Sequence, residues 1–309
     1  MQAFWMVLAT LLFATMGVGV KFAAQSFNVS ELVFYRGLIS VVFTAVVMRA
    51  SGTPLRTPVL AMQAWRTLAG TLALGAWFYA IAHLPLATAV TLNYMSSVWI
   101  ALFVVAGAFW ARTQGATGST GAPTRPDPQR QGPLALSVLA AFVGVVMLLR
   151  PTLGQNQLFA GIVGLLSGIG AALAYLQVNA LARAGEPATR TVFYFAIGTA
   201  VGGLIGMVFM GVTPWENISA TAAWWIVPIG VLATVAQWCM TRAFSQGPTL
   251  VAANLQYSGI VFAAFYGVIL FGDVIPWIGW VGMALIVASG IAATALRNET
   301  LPDNPQKPP

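Results

Sequence analysis

Ten stretches of about 18 to 25 mostly apolar residues run through this chain, and they limit its fold more than any other feature. A helix of about 20 apolar residues spans the roughly 30 Å hydrocarbon core of a bilayer. We therefore predict an all-α integral membrane protein with ten transmembrane helices. The predicted spans are residues 3–23, 32–49, 64–83, 86–111, 134–150, 160–182, 191–211, 222–244, 249–271 and 276–296.

The composition excludes several other classes of protein. Hydrophobic residues make up 59% of the chain and charged residues 7%, so a water-soluble domain would have a mostly apolar surface. The formal charge of +7 does not predict nucleic-acid binding, because Lys and Arg are scattered singly. Cys239 is the only cysteine and lies within an apolar span, so we expect no disulfide, no metal site and no cofactor.

The loops are short except for residues 112–132, which are rich in Gly, Thr and Pro and predict a flexible linker. With a cytoplasmic N-terminus, eleven basic residues fall on the cytoplasmic side and three outside. The positive-inside rule then predicts an inner-membrane protein with both termini in the cytoplasm. The cytoplasmic set is Arg49, Arg56, Arg66, Arg112, Arg125, Arg130, Arg183, Arg190, Arg242, Arg297 and Lys307, and the outer set is Lys21, Arg36 and Arg150.

The second half of the chain repeats the first. Residues 33–35 (Val-Phe-Tyr) recur at 192–194, an offset of 159. Five residues of the fourth span recur in the ninth at an offset of 163: Pro85, Ala89, Tyr94, Val98 and Ala101 match Pro248, Ala252, Tyr257, Val261 and Ala264. A five-helix unit followed by its copy places the copy upside down in the bilayer, an arrangement typical of secondary transporters.

We therefore predict two inverted five-helix repeats. The first comprises residues 1–111 and 133–150, with the linker 112–132 inside it. The second comprises residues 160–297, and residues 298–309 form a cytoplasmic tail.

Several motifs resemble the EamA family of the drug/metabolite transporter superfamily. The resemblance covers about residues 3–297 and implies a ten-helix carrier of small metabolites, without fixing which one. The long linker 112–132 departs from the family, whose members have a short acidic turn there. The motifs are Lys21, Ser30-Glu31-Leu32-Val33-Phe34-Tyr35-Arg36, Trp77 through Pro85, Asn93-Tyr94-Met95-Ser96-Ser97, Phe271-Gly272-Asp273, Gly279 and Gly290.

Two repeat-equivalent pairs are the main candidates for a substrate site. Asn93-Tyr94 and Gln256-Tyr257 each lie about eight residues inside a predicted span, which is about 12 Å deep and close to the midplane. Tyrosine and amide groups at a midplane repeat interface can capture a substrate, so we expect all four to line the cavity. Hydrogen bonding between helices is the alternative role.

Other polar and aromatic residues within the spans are further cavity candidates: Trp77, Tyr79, Tyr175, Asn179, Gln237, Trp238 and Lys21. Packing or lipid contact is the alternative for the aromatic ones. Glu31 and Arg36 are expected to act as a gate or as structural charges that neutralise each other beside Lys21. His83, the only histidine, is expected to form a hydrogen bond at the membrane interface.

The predicted function follows from these candidates. No Asp or Glu lies deep in a span, which favours facilitated diffusion or exchange over a carboxylate proton relay. An enzyme would need a nucleophile with a base, or a metal cluster. The chain offers one histidine, one cysteine and no carboxylate deep in a span, so we predict that it is not an enzyme. We predict a secondary transporter that exports amino acids or related neutral or zwitterionic metabolites by alternating access. The alternative is a non-transporting receptor or scaffold. The expected partners of the transporter are a small-molecule substrate and the lipid bilayer. Nucleic acid is not expected as a partner, and a homodimer is one possible assembly.

Overall fold

The computed structural model describes residues 2–100, 102–103, 136, 139–141, 143–147, 157–245, 252 and 255–298. Regular structure in these residues is helical. The linker 112–132 and about half of the predicted span 134–150 lie outside the described residues. The helices are α1 (Gln2–Ala23), α2 (Val29–Ala50), α3 (Leu60–His83), α4 (Leu86–Tyr94), α5 (Leu158–Arg183), α6 (Ala188–Met210), α7 (Ala220–Ser245), α8 (Ser258–Phe271) and α9 (Trp277–Asn298), with a 3₁₀ turn at Trp215–Asn217.

Five of these helices are long and apolar enough to cross a membrane: α1, α2, α5, α6 and α7. Two shorter apolar stretches, Ser258–Phe271 and Trp277–Ser289, follow them. Helix α3 has 24 residues but also carries Gln63 and Arg66, both buried, in its first two turns. The all-α membrane class is therefore confirmed.

Two predicted spans are interrupted where the sequence predicted continuous helices. In the span 86–111, α4 ends at Tyr94, and the chain makes a turn at Met95 before the helix resumes. The amide of Val98 donates to the carbonyl of Met95 at 2.9 Å, a tighter i to i+3 bond. In the span 249–271, a turn at Tyr257 precedes α8, and the amide of Ile260 donates to the carbonyl of Tyr257 at 3.0 Å. The two turns therefore fall at nearly equivalent places of the repeat.

The helices pair across the two halves of the chain. Helix α1 packs against α7, α3 against α5, α2 against α6, and α4 against α8. In the fifth predicted span, a Cβ on Gly144 would lie 2.8 Å from the carbonyl oxygen of Gly282 in α9. The predicted counterparts in the two repeats are α1 and α5, α2 and α6, α3 and α7, and α4 and α8. If each helix is exchanged for its counterpart, the same set of pairs results. The packing therefore supports a twofold relation between the halves.

Small residues bring α2 and α6 into backbone contact. A Cβ on Gly37 would overlap the backbone of Ala200, and a Cβ on Gly203 would overlap the backbone of Phe34. Close packing through small residues is common between membrane helices. Phe34 of α2 contacts Gly203 of α6, and Gly37, further along α2, contacts the earlier Ala200 of α6. The two helices therefore run antiparallel, as expected of inverted copies.

Candidate functional site

A small cavity lies between the two halves, with walls from α1 to α7. Its polar lining comprises Arg36, Arg66, Asn93, Tyr94, Tyr175 and Gln237, and its aromatic lining comprises Phe13, Trp77 and Phe195. Its volume is about 50 Å³. Ligand pockets usually measure about 300–1,000 Å³. In this conformation the cavity is therefore too small to hold a ligand of ordinary size.

Two arginines from different helices meet at one aromatic ring in this cavity. The guanidinium carbon of Arg66 lies 3.9 Å from the ring centroid of Phe195, and that of Arg36 lies 5.3 Å from it. Arg36 is 2% exposed and Arg66 is 1% exposed. The sequence had placed Arg36 outside and Arg66 on the cytoplasmic side. In the structure both side chains are buried and line the cavity, each about two turns from the N-terminal end of its helix.

The local packing of α3 makes room for Arg66. Gly70 lies one turn after Arg66 on the same face, and a Cβ there would lie 2.9 Å from the Phe195 ring and 3.2 Å from Nη1 of Arg66. Ala73 and Trp77 continue this face and also line the cavity. Sequence reasoning missed Arg66, although its helical spacing from Gly70, Ala73 and Trp77 is the signal that could have found it.

The two guanidinium groups lack hydrogen-bond partners for several nitrogens. Nε and Nη1 of Arg36 and of Arg66 are buried without a partner. Burying an ion costs several kcal/mol. A desolvated cation–π contact returns about 2 kcal/mol, and here one ring serves both cations. The cavity therefore holds positive charge that the contacts around it offset only in part.

The amide and tyrosine groups complete the polar lining. Asn93 Nδ2 donates to Ser167 Oγ at 3.0 Å. Tyr175 accepts a hydrogen bond from Gln256 Nε2 at 3.3 Å, so Gln256 contacts the lining through Tyr175. The Tyr94 ring lies over Gly259 of α8, where a Cβ would be 2.6 Å from the ring.

Five expected cavity residues therefore line the cavity, and six do not. The lining ones are Trp77, Asn93, Tyr94, Tyr175 and Gln237. The others are Lys21, Tyr79, Asn179, Trp238, Gln256 and Tyr257.

Aromatic and hydrogen-bonding neighbours hold three of these outlying residues near the helix ends. Tyr79 stacks on His83 with ring centroids 4.2 Å apart. Trp238 packs edge-on against Trp5 at 5.5 Å. Asn179 Oδ1 accepts from Arg183 Nε at 2.9 Å.

One end of the bundle, which we call the Asp273 end, is closed by polar contacts between the halves. Lys21 Nζ lies 3.2 Å from both carboxylate oxygens of Asp273. The Leu86 amide donates to the same carboxylate at 3.2 Å. Glu31 accepts from the amide and hydroxyl of Thr213 at 2.8 and 2.7 Å. The expected neutralising cluster of Lys21, Glu31 and Arg36 is therefore corrected, since each has separate contacts.

The opposite end, the Glu186 end, is closed in a similar way. Glu186 forms an ion pair with Arg190 at 3.1 Å. It also accepts from the Thr57 hydroxyl at 2.7 Å and from Gln63 Nε2 at 3.2 Å. A glutamate near the start of α2 thus binds the segment after α6, and a glutamate near the start of α6 binds the segment after α2.

Comparisons with known proteins identify relatives of the whole chain. The profile of the EamA-like transporter family matches residues 158–294. A pseudopaline exporter of Pseudomonas aeruginosa is 30% identical over 298 residues, 93% of each chain. An uncharacterized transporter of Helicobacter pylori is 28% identical over 95% of each chain. A riboflavin transporter of Vibrio cholerae is 21% identical over 93% of this chain and 90% of its own.

The fold also resembles a solved one. A crystal structure with 16% sequence identity matches 96% of this chain and 97% of its own, with a TM-score of 0.65. At this identity the likeness concerns the fold alone.

Proposed function

This chain belongs to the EamA-like transporter family, and we propose that it is a secondary carrier that moves small metabolites across the inner membrane by alternating access. The observation that carries this proposal is the central cavity between the halves, closed at both ends by contacts between them. Such a cavity becomes accessible from one side when the contacts at that end break. Inverted repeats that rock around a midplane site are a common architecture of secondary transporters.

The turns at Met95 and Tyr257 are the proposed flexible points of this motion. The first turn directly follows the cavity-lining Tyr94, the second is at Tyr257, and each interrupts a helix. Interrupted helices free backbone groups near a binding site and absorb changes in backbone angle. We propose that Tyr94 contacts cargo in one state and Tyr257 takes the equivalent role in the other.

The proposed orientation places the Asp273 end outside and both termini in the cytoplasm. The distribution of eleven basic residues against three supports it, and relocating Arg36 and Arg66 to the cavity still leaves ten against two. We propose export as the direction. A relative that is named as an exporter, with 30% identity, supports this direction.

Amino acids and related metabolites stay the proposed cargo group. Asn93, Tyr94 and Gln237 offer neutral hydrogen-bonding groups, and Phe13 and Trp77 offer apolar surface. The two arginines narrow this group to its acidic members, as argued below.

A reversible cross-link at the Asp273 end tests alternating access. The hydroxyl oxygens of Ser26 and Ser219 lie 3.3 Å apart across the two halves. In a Cys239→Ala background, Ser26→Cys with Ser219→Cys should form a disulfide on oxidation. We expect oxidation to stop efflux from proteoliposomes and reduction to restore it, while each single variant stays active under both conditions. Equal efflux from the verified cross-linked protein would refute alternating access through this end.

Protein-dependent efflux also separates this proposal from the scaffold alternative. Liposomes that contain the folded chain and a soluble metabolite extract should lose particular compounds faster than protein-free liposomes. A receptor or scaffold would change no internal concentration.

A further inference from the structure

We propose that Arg36 and Arg66 form a binding site for acidic cargo, most simply an organic anion that carries two carboxylates. This inference rests on the proposed transport function and narrows its substrate class. It starts from two guanidinium groups, buried to 98% or more, that share one cavity and one aromatic ring.

Snorkelling does not account for these arginines. A buried arginine near a helix end commonly extends toward the interface, where its charge is hydrated. Arg36 starts about 10 Å from the beginning of α2 and Arg66 about 9 Å from the beginning of α3, at opposite ends of the bundle. Both guanidinium groups instead contact the Phe195 ring and are buried inside the bundle.

The carboxylates of the described part of the chain are engaged elsewhere or exposed. Glu31 binds Thr213, Glu186 pairs with Arg190, and Asp273 pairs with Lys21. Glu216 is exposed in the 3₁₀ turn. No acid therefore lines the cavity among the described residues. The unpaired nitrogens of Arg36 and Arg66 are consequently available to an anion from outside the chain.

The chemistry of the lining favours carboxylates. A guanidinium group presents parallel N–H donors that match the two oxygens of a carboxylate. Two buried cations are balanced by two negative charges. An amino acid with one carboxylate would bring its ammonium group beside the second guanidinium, and the amide oxygens of Asn93 and Gln237 offer only neutral acceptors. Phe13 and Trp77 can contact the carbon skeleton.

Binding to the purified full chain tests the charge requirement. The probes are glutarate, isophthalate and citrate, their amides of the same shape, and glycerol phosphate, each at one pH and ionic strength. We expect a dicarboxylate to raise the thermal unfolding temperature more than its monoamide and diamide, because ligand binding stabilises the folded state. Equal shifts for acids and amides would overturn the proposal. A larger shift with glycerol phosphate would overturn the preference for carboxylates.

Variants of the two arginines connect the binding to the site. Arg36→Gln and Arg66→Gln should each weaken dicarboxylate binding at least tenfold, and the lysine variants should weaken it less because they keep the charge but lose the paired donors. Arg56→Gln removes an exposed arginine outside the cavity and should leave binding unchanged. Unchanged binding in both glutamine variants would overturn the site.

The stability of the ligand-free variants distinguishes a binding role of the two arginines from a structural one. Because neither guanidinium group is fully paired, Arg36→Gln and Arg66→Gln should unfold at the wild-type temperature or above it. A structural role predicts a lower unfolding temperature. The two arginines would be assigned a structural role by two results together: a lower unfolding temperature of the glutamine variants, and equal increases of the unfolding temperature by acids and amides in the lysine variants.

Efflux separates this inference from the transport proposal. The metabolites lost from extract-loaded proteoliposomes are identified by mass spectrometry. We expect compounds with two acidic groups to be enriched among them. Loss of neutral, zwitterionic or cationic compounds alone would overturn the inference and leave the transport proposal intact. Loss of no compound from vesicles with correctly folded protein would overturn the transport proposal itself.

Discussion

Neutralising Asp273 should open the cavity toward the Asp273 end. Asp273 holds α1 through Lys21 and α4 through the Leu86 amide, at 3.2 Å in each case. In Asp273→Asn, the amide oxygen can still accept from Leu86, but the ion pair is lost. The variant therefore isolates the contribution of the charge.

The size of the effect follows from the partial burial of this ion pair. The side chains of Lys21 and Asp273 are 18% and 13% exposed, so water screens the pair less than at an open surface. Hydrogen bonds to charged groups contribute about 1.5–3 kcal/mol, and fully exposed pairs about 0–1 kcal/mol. A loss of about 1.5–3 kcal/mol would raise the population open at this end about 10- to 150-fold.

The assay measures access to the cavity from outside the cell. A cysteine is placed in the lining as Ala73→Cys, in a Cys239→Ala background, and is labelled in intact cells with a membrane-impermeant maleimide. We expect Asp273→Asn to raise the labelling rate about 10- to 150-fold. Glu216→Gln, which neutralises an exposed acid of the same end, is the matched control and should label like the parent.

Two results would refute this reasoning. The first is an unchanged labelling rate in Asp273→Asn at equal membrane abundance, which would mean that the ion pair does not hold this end closed. The second concerns the exchange Lys21→Asp with Asp273→Lys. It restores an ion pair but removes the acceptor for Leu86, so it should lower the labelling rate only part of the way toward the parent; no reduction at all would exclude the charge as the cause.

Three further predictions concern other parts of the chain. Tyr94→Phe should weaken cargo binding about fivefold through loss of one hydrogen bond, and alanine at Tyr94 or Tyr257 should cost more; normal binding and counterflow in both alanine variants would make these tyrosines packing residues. Replacing residues 112–132 with a four-residue turn should leave efflux within about twofold, and protease should cut this segment in inside-out vesicles but not in intact cells. Gly203→Ala should lower the unfolding temperature because its Cβ overlaps the Phe34 backbone, whereas Gly75→Ala, with open space around it, should stabilise α3 by about 0.5–1 kcal/mol.

The positions of the long apolar helices could be predicted because hydrophobic length is a strong signal. Helix α1 begins one residue from its predicted start, and α5 begins two residues from its own. The turns at Met95 and Tyr257 could not be predicted in this way. Neither position is a proline or a glycine, and both lie well inside a predicted span. These turns depend on packing between α4, α5 and α8, which a single span does not encode.

The two arginines show where prediction from single spans stops. A basic residue near the end of an apolar span is equally compatible with an interfacial side chain and with one that turns inward. Arg36 and Arg66 could be assigned only when Phe195, from a third helix, was in place between them. Asn93 and Tyr94 were easier candidates, because they are polar groups far from both ends of a predicted span.

Both charges of this site come from the first half of the chain. Arg36 and Phe195 occupy equivalent positions, since each directly follows the Val-Phe-Tyr motif of its own repeat. Their contact, 5.3 Å from guanidinium carbon to ring centroid, therefore places them close to the axis that would exchange the halves. Under the proposed alternating access, an anion bound at this axis would move little as the halves rock, so its affinity would be similar in the two states. A ligand with equal affinity for both states does not shift the equilibrium between them, so binding would not trap the carrier in either state.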